Sequence, residues 1–175
     1  KALLSRELRK QRISIMGFGR EGQATYNLLH KLLPKKSFVI FDQNTELFKE
    51  NKELTSKNNT IFSSEEDYEE INDRSDKVFL TPGIALKDIP QIETKKITNE
   101  CDVFLQLFKE NTIGISGTKG KSTTSTLLYQ IIHDQSPNTI LAGNIGVPFF
   151  DVMEEIDKDT MIVLELSCHQ LQNIS

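Results

Sequence analysis

The stretch ISIMGFGREG, Ile13 to Gly22, decides how the first half of this chain is read. A short apolar run, Ile13-Ser14-Ile15-Met16, passes directly into G-x-G-x-x-G, and a helix-period segment follows. A strand, a glycine turn and a helix start in that order aim backbone N–H groups and the positive end of the helix dipole at an anion. Gly17, Phe18, Gly19, Arg20, Glu21 and Gly22 are therefore the first candidate binding residues, with Arg20 able to add positive charge. Asp42 ends the next apolar run, Phe38-Val39-Ile40-Phe41, about 20 residues after Gly22, where dinucleotide-binding folds carry an acid for ribose hydroxyls. Spacing alone does not distinguish NAD from another nucleotide diphosphate.

Outward from this motif, short strands alternate with helices. The helix after Gly22 places Ala24, Leu28, Leu29 and Leu32 on one face and ends near Pro34. A polar helix is expected over about 45–55 and a weaker strand at Ile61-Phe62. The acidic run EEDYEE, Glu65 to Glu70, reads as a solvated helix face. Lys77 to Leu80 reads as a strand stopped by Thr81-Pro82-Gly83, and Lys96-Ile97-Thr98 as a short fifth strand. The pattern predicts an α/β domain with a parallel, Rossmann-like sheet. Thr81, Pro82 and Gly83 end a strand of that sheet and are expected to project into the crevice that takes the ligand.

A second βα series starts near residue 100. Thr112 to Ile115 runs into GTKGKST, Gly117 to Thr123, and a helix that buries Leu127, Leu128, Ile131 and Ile132 is expected after it. A generic P-loop is written G-x-x-x-x-G-K-[ST], which would put a glycine at 115, and Ile115 stands there instead. The local physics survives, because Ile115 can end a buried strand while Gly117 and Gly120 make the turn. Lys121 would reach phosphates as a point charge and the Ser122 hydroxyl would ligate Mg²⁺. Met161 to Leu164 reads as a central strand that ends at Glu165 and lies beside the P-loop strand. A carboxylate there can complete a Mg²⁺ shell with Ser122. Asn138 to Ala142 reads as a strand ending at GNIG, Gly143 to Gly146, where Asn144 offers both a donor and an acceptor. The reading is two domains, 1–99 and 100–175, the second the first part of a P-loop α/β ATPase domain.

Composition narrows the classes. A formal net charge of −4 over 175 residues, with no Trp and three Tyr, argues against a nucleic-acid footprint. No apolar run approaches the roughly 18 residues of a membrane span. Cys101 and Cys168 give no disulfide framework, which fits a reducing, cytoplasmic setting. His30 and His133 fall late in helices, where positive charge is favoured, and His169 follows Cys168 with no nucleophile–base spacing. The start at Lys1 and the stop at Ser175, just after a strong strand, are expected of a fragment of something longer.

Taken in order, GFGREG, TPGIAL, GTKGKST, AGNIGVP and VLELSCHQL resemble the Mur ligases over nearly the whole chain, most of all their D-glutamate-adding branch. GTKGKST alone is shared with the related folylpolyglutamate synthases, and the combination with GFGREG and TPGIAL is more specific. In that family the shortened loop is the usual one, so Gly117 is its own glycine and Ile115 its expected strand residue. The resemblance implies a first domain that binds the UDP of a sugar substrate, not NAD. Gly17 to Gly22 would hold the diphosphate, Asp42 and Gln43 would lie near the uracil, and Thr81, Pro82 and Gly83 would face the nucleotide. In the second domain Gly117, Thr118, Lys119, Gly120, Lys121, Ser122 and Thr123 would bind ATP with Mg²⁺. Glu165 and Ser122 would ligate the metal, and Asn144 would approach the acceptor's peptide end. Lys121, Glu165 and Asn144 would be the catalytic residues.

The resemblance further implies an ATP-dependent ligase of peptidoglycan precursor synthesis. It would join D-glutamate to a UDP-linked sugar–peptide through an acyl phosphate. Cys168 and His169 depart from the family's usual LSSFQL. The family's later histidine, its carbamylated lysine and its amino-acid-binding third domain lie beyond Ser175, so the chain by itself is expected to be inactive. Other Mur-type ligases, a folylpolyglutamate synthase-like enzyme and a non-catalytic nucleotide-binding module are the alternatives.

Overall fold

A computed structural model describes residues 2–51, 54, 58–144, 147–171 and 174. The chain divides into two compact units, Lys1–Asn99 and Glu100–Ser175.

The first unit opens with helix α1 (Ala2–Leu8), which buries Leu4 and Leu8. Strand β1 (Ile13–Met16) follows, with all four residues buried, then helix α2 (Arg20–Leu32). Next come β2 (Val39–Phe41), α3 (Glu46–Glu50), β3 (Thr60–Phe62), α4 (Tyr68–Asp73), β4 (Lys77–Leu80) and β5 (Ile97–Thr98). The strands form one sheet in the order β3-β2-β1-β4-β5, and every pairing is parallel. This is the Rossmann-like half-sheet that the motif order predicts. The polar helix expected over 45–55 is described as α3, and residues 52, 53 and 55–57 lie outside the described residues.

Strands buried on both faces are predominantly apolar, as in β1, where Ser14 is the one polar residue, and in Val78 to Leu80 of β4. Ile15, Met16 and Ile40 are fully buried, as are Val78 and Ile71. Each such side chain contributes roughly 1.5–3 kcal/mol through its removal from water. Met16, Phe41, Tyr68, Ile71, Val78, Leu80, Ile89 and Ile92 make one cluster beneath the ends of the strands. Because β1 joins β2 on one side and β4 on the other, the chain's crossovers reverse direction between β1 and β4. A crevice opens at such a reversal, outside the carboxyl ends of the strands.

The second unit contains α5 (Glu100–Phe108), β6 (Thr112–Ile115), α6 (Lys121–Gln135), β7 (Thr139–Gly143), α7 (Phe149–Val152), β8 (Met161–Glu165) and α8 (Cys168–Leu171). Its described strands form a parallel sheet in the order β6-β8-β7. The middle strand is the most apolar, and Ile162, Val163 and Leu164 are fully buried.

One burial expectation is corrected here. Leu128 and Ile132 of α6 are half-buried, but Leu127 and Ile131 are 54% and 60% exposed. At about 100° per residue the four make a stripe some 140° wide. The helix is turned so that the fully buried Ser125, not the middle of that stripe, faces the sheet. Only one edge of the stripe is covered.

Candidate functional site

In the first unit a cleft of about 610 Å³ lies at the carboxyl ends of β1, β2 and β4. Gly17, Gly19, Arg20, Glu21 and Gly22 form one wall, Asp42 and Gln43 another, and Thr81, Pro82 and Gly83 a third. Ten of the eleven residues proposed for this site from sequence thus converge there. The eleventh, Phe18, points its ring inward: it is 1% exposed and packs edge-on against Tyr26 with ring centroids 6.0 Å apart. Its side chain packs in the core, and its backbone stays in the loop.

The loop is shaped by close approach. Gly17 has φ +90°, and a Cβ there would sit 1.9 Å from Thr81 Oγ1. A Cβ on Gly22 would sit 2.0 Å from the Gly17 carbonyl oxygen. Only glycine fits at both positions, so strand, turn and helix can pack this tightly. Helix α2 begins after Gly19, and no side chain caps its N-terminus among the described residues. Helices usually recruit Ser, Thr, Asp or Asn there. A helix start without a side-chain cap offers the positive end of its dipole to an anion.

Asp42 has two local duties. Its Oδ2 accepts from the Phe18 N–H at 2.5 Å, which ties the glycine loop to the end of β2. Its Oδ1 accepts from the Asn44 N–H at 2.8 Å. Gln43 Nε2 donates to Glu65 Oε1 at 2.7 Å. Glu65 and Tyr68 line the cleft, as do Ile84 and Asp88, and sequence reasoning missed all four. The acidic run holding Glu65 and Tyr68 was read as a solvated face. The available signal was topological: β3 ends at Phe62 beside β2, so the segment after it meets the same crevice. Tyr68 packs edge-on against Phe41 at 5.0 Å. Burial, then the carboxylates of Glu65 and Asp88, raise its phenol above the ordinary range.

The cleft wall therefore carries positive charge at Arg20 and carboxylates at Glu21, Asp42, Glu65 and Asp88. Such a wall suits one anionic group at the helix start and hydroxyl or N–H donors farther out.

In the second unit the loop 116–120 joins β6 to α6. Gly120 is the N-cap, at φ +76° and ψ 0°, and α6 also lacks a side-chain cap among the described residues. Gly117, Thr118, Lys119, Gly120, Ser122 and Thr123 are exposed, and Lys121 is half-exposed. Lys121 Nζ folds back to donate to the Gly117 carbonyl at 2.9 Å. Strand β8 runs in register with β6 and pairs Ile115 with Glu165. Glu165 is 1% exposed. Its Oε1 accepts from Asn144 Nδ2 at 3.0 Å, and its Oε2 lies 3.4 Å from Ser125 Oγ. Ser125 Oγ has one proton, for which the Lys121 carbonyl at 2.9 Å and the Ser122 carbonyl at 3.1 Å compete within the helix. Ser125 was not singled out from sequence, where it is one hydroxyl in a Ser/Thr-rich helix start.

Asn144, Glu165 and the first turn of α6 are thus brought together. Ile145 and Gly146 of the GNIG turn lie outside the described residues. Cys168 and His169 are exposed, while Gln170 is 3% exposed and its Oε1 accepts from the Ser167 N–H at 2.9 Å. Among the described residues no group of three or more His, Cys, Asp or Glu could hold a metal, and no helix is long and apolar enough to cross a membrane.

Fold and site define an α/β chain with two glycine-led, uncapped helix starts, each at the carboxyl edge of its own parallel sheet. No protein-family model matches it. The chain resembles the Mur ligase family, most of all proteins named "UDP-N-acetylmuramoylalanine--D-glutamate ligase", over nearly its whole length. The protein of that name from Caldicellulosiruptor bescii is 34% identical over 175 residues, covering 96% of this chain and 38% of the relative. Those from Clostridium kluyveri and Acetivibrio thermocellus are each 30% identical, covering 94% and 97% of this chain and 37% of each relative. The chain spans less than two fifths of the length of these curated relatives.

Proposed function

We propose that this chain is the nucleotide-handling part of an ATP-dependent amide ligase of peptidoglycan precursor synthesis. The ligase joins D-glutamate to UDP-N-acetylmuramoyl-L-alanine in the cytoplasm. The names of the relatives support the substrates. What supports the chemistry is the register of β8 on β6, which sets the buried Glu165 carboxylate beside the strand that feeds the glycine loop.

In the first unit, the start of α2 and Arg20 receive the diphosphate of the UDP-linked substrate. Asp42, Gln43 and the Thr81-Pro82-Gly83 turn receive its nucleoside. In the second, Gly117 to Thr123 wrap the triphosphate of ATP, and Lys121 leaves the Gly117 carbonyl to meet it. The donor set fits a hard cation: a buried carboxylate at Glu165, already oriented by Asn144, and the Ser122 hydroxyl on the adjoining helix turn. When bound, Mg²⁺ neutralises charge on the phosphates.

The reaction has two stages. A substrate carboxylate oxygen attacks the γ-phosphorus of ATP, and ADP leaves. The D-glutamate amine then attacks the acyl phosphate carbon, phosphate leaves, and an amide forms. The obstacle to the first stage is the approach of two anions, and Lys121 offsets that repulsion while the helix start holds the in-line geometry. Asn144 positions Glu165 and approaches the acceptor's peptide end.

Calorimetric titration with UDP, NAD⁺ and Mg²⁺·ATP tests the reading. UDP and Mg²⁺·ATP are each expected to saturate at one site per chain, and NAD⁺ to show no saturable heat. NAD⁺ binding in preference to UDP overturns the assignment of the first cleft.

A further inference from the structure

The first unit has a second cleft, of about 750 Å³, at the opposite edge of its sheet. Its walls come from the residues that lead into the strands: Arg12 and Ile13 at β1, Phe38 and Val39 at β2, Thr60 at β3, and Arg74 ahead of β4. Because all the strands are parallel, this edge is the one remote from the Gly17 loop.

The charge on its lining is one-sided. Arg9, Arg12, Lys35, Lys36 and Arg74 line it, and no carboxylate does. Two of the five are neutralised from outside the cleft. Arg12 is held by Asp76 at 2.7 Å, and Arg74 by Glu70 at 2.6 Å. Three are left. Arg9 and Lys35 are exposed and form no ion pair among the described residues. Lys36 Nζ donates at 2.7 Å to the carbonyl of Gln11, a neutral acceptor, and desolvation lowers its pKa against the smaller opposing pull of the Asp76 carboxylate. Between these cations the accessible apolar wall is that of the half-exposed Leu32 and Val39, while Ile13, Leu33 and Phe38, which also line the cleft, are only 1%, 6% and 2% exposed.

Helix ends account for part of this arrangement. Arg9 follows the last turn of α1, and Lys35 and Lys36 follow that of α2, where cations complement the dipole. Helix ends do not call for an open space of this volume with an apolar floor, and that combination matches the small-molecule sites of proteins.

We propose that this cleft is a second ligand site, for a small amphiphilic anion: an apolar ring or chain seated against Leu32 and Val39, with a phosphate or carboxylate held by Arg9, Lys35 and Lys36. It is separate from the nucleotide cleft, so it does not depend on the function proposed above.

The probe is 1-naphthyl phosphate, followed by calorimetry and by amide chemical-shift changes, with inorganic phosphate as the second arm. The expected result is one saturable site per chain, shifts centred on Ser37 and Thr60, and at least about tenfold weaker binding of inorganic phosphate, which lacks the ring. Equal binding of the two probes removes the apolar floor from the proposal. The double variant R9E/K35E changes two exposed side chains, and a thermal melt verifies that it stays folded. It is expected to weaken naphthyl phosphate by about tenfold or more while leaving UDP titration unchanged. Absence of saturation, undiminished binding to a folded R9E/K35E, or displacement of the probe by UDP overturns the proposal. The last outcome would assign the probe to the nucleotide cleft.

Discussion

Asn144 and Glu165 are bonded to each other twice. The Asn144 backbone N–H donates to the Glu165 carbonyl at 2.9 Å, and its side-chain Nδ2 donates to Glu165 Oε1 at 3.0 Å. The first bond joins the ends of neighbouring strands, and the second aims a buried carboxylate. Asn144→Ala keeps the first and removes the second, which leaves one oxygen of a 1% exposed carboxylate without its donor. The expected cost is about 1–3 kcal/mol of stability. The Mg²⁺-dependent part of ATP affinity is expected to fall about tenfold. Titrations with and without Mg²⁺ separate the effects: ATP binding without the metal should be unchanged. An equal loss in both would remove Glu165 from the metal's surroundings.

Lys121 has no structural task that its loss would expose. Its side chain's one described bond runs to the Gly117 carbonyl within an exposed loop. Lys121→Met should therefore change stability by no more than about 0.5 kcal/mol. Loss of a charge aimed at the phosphates should weaken Mg²⁺·ATP by at least about tenfold. Calorimetry read beside a urea melt gives both numbers. A folded variant with full ATP affinity would remove the lysine from the triphosphate site.

The parts of the fold that could be read from sequence are those where one local signal suffices. Ile13–Met16 is apolar but for Ser14 and runs directly into Gly17, so both strand and turn are legible, and Thr112–Ile115 reaches Gly117 through Ser116. The pairing of β8 with β6 followed from the apolar character of Met161–Leu164, since the middle strand of a sheet is the one covered on both sides. Leu127 and Ile131 defeated the same reasoning. Periodicity defines a stripe, but which edge of it meets the sheet depends on the rotation of α6, and here the buried Ser125 lies against Glu165. The inward turn of Phe18 was hidden for a related reason. A motif position specifies backbone, and only the neighbouring Tyr26 and Phe48 decide where its side chain goes.

Asp76 gives a pH test in the first unit. The Arg12 side chain, then the Arg12 backbone N–H, lower its pKa from 3.8 to about 2. A carboxylate with a depressed folded pKa stabilises fully above its unfolded value, and that contribution is lost as pH falls through the folded one. The contribution is thus complete above about pH 4 and gone below about pH 2. Asp76 and Arg12 are 42% and 59% exposed, so solvent screening keeps the pair's contribution small. Asp76→Asn should lower the urea midpoint at neutral pH, and the gap from the parent should close between pH 4 and pH 2. A gap of constant size across that range would assign the effect to the amide's altered packing and not to the charge.

Gly22 and Gly19 of the first loop make opposite predictions for stability. A Cβ on Gly22 meets the Gly17 carbonyl oxygen at 2.0 Å, and backbone cannot swing aside as a side chain can. A Cβ on Gly19 meets nothing within 4 Å. Gly19 has φ −66°, which alanine adopts freely. Gly22→Ala must therefore push α2 away from the turn, at a cost of about 1–3 kcal/mol. It should also weaken UDP, because the helix start moves with it. Gly19→Ala should leave stability within about 0.5 kcal/mol of the parent. It should still lower UDP affinity, because its methyl group projects where a diphosphate must approach the backbone. Urea melts and UDP titration on the two variants distinguish a glycine needed for packing from one needed for ligand approach. Unchanged UDP affinity in Gly19→Ala would place the diphosphate elsewhere than the start of α2.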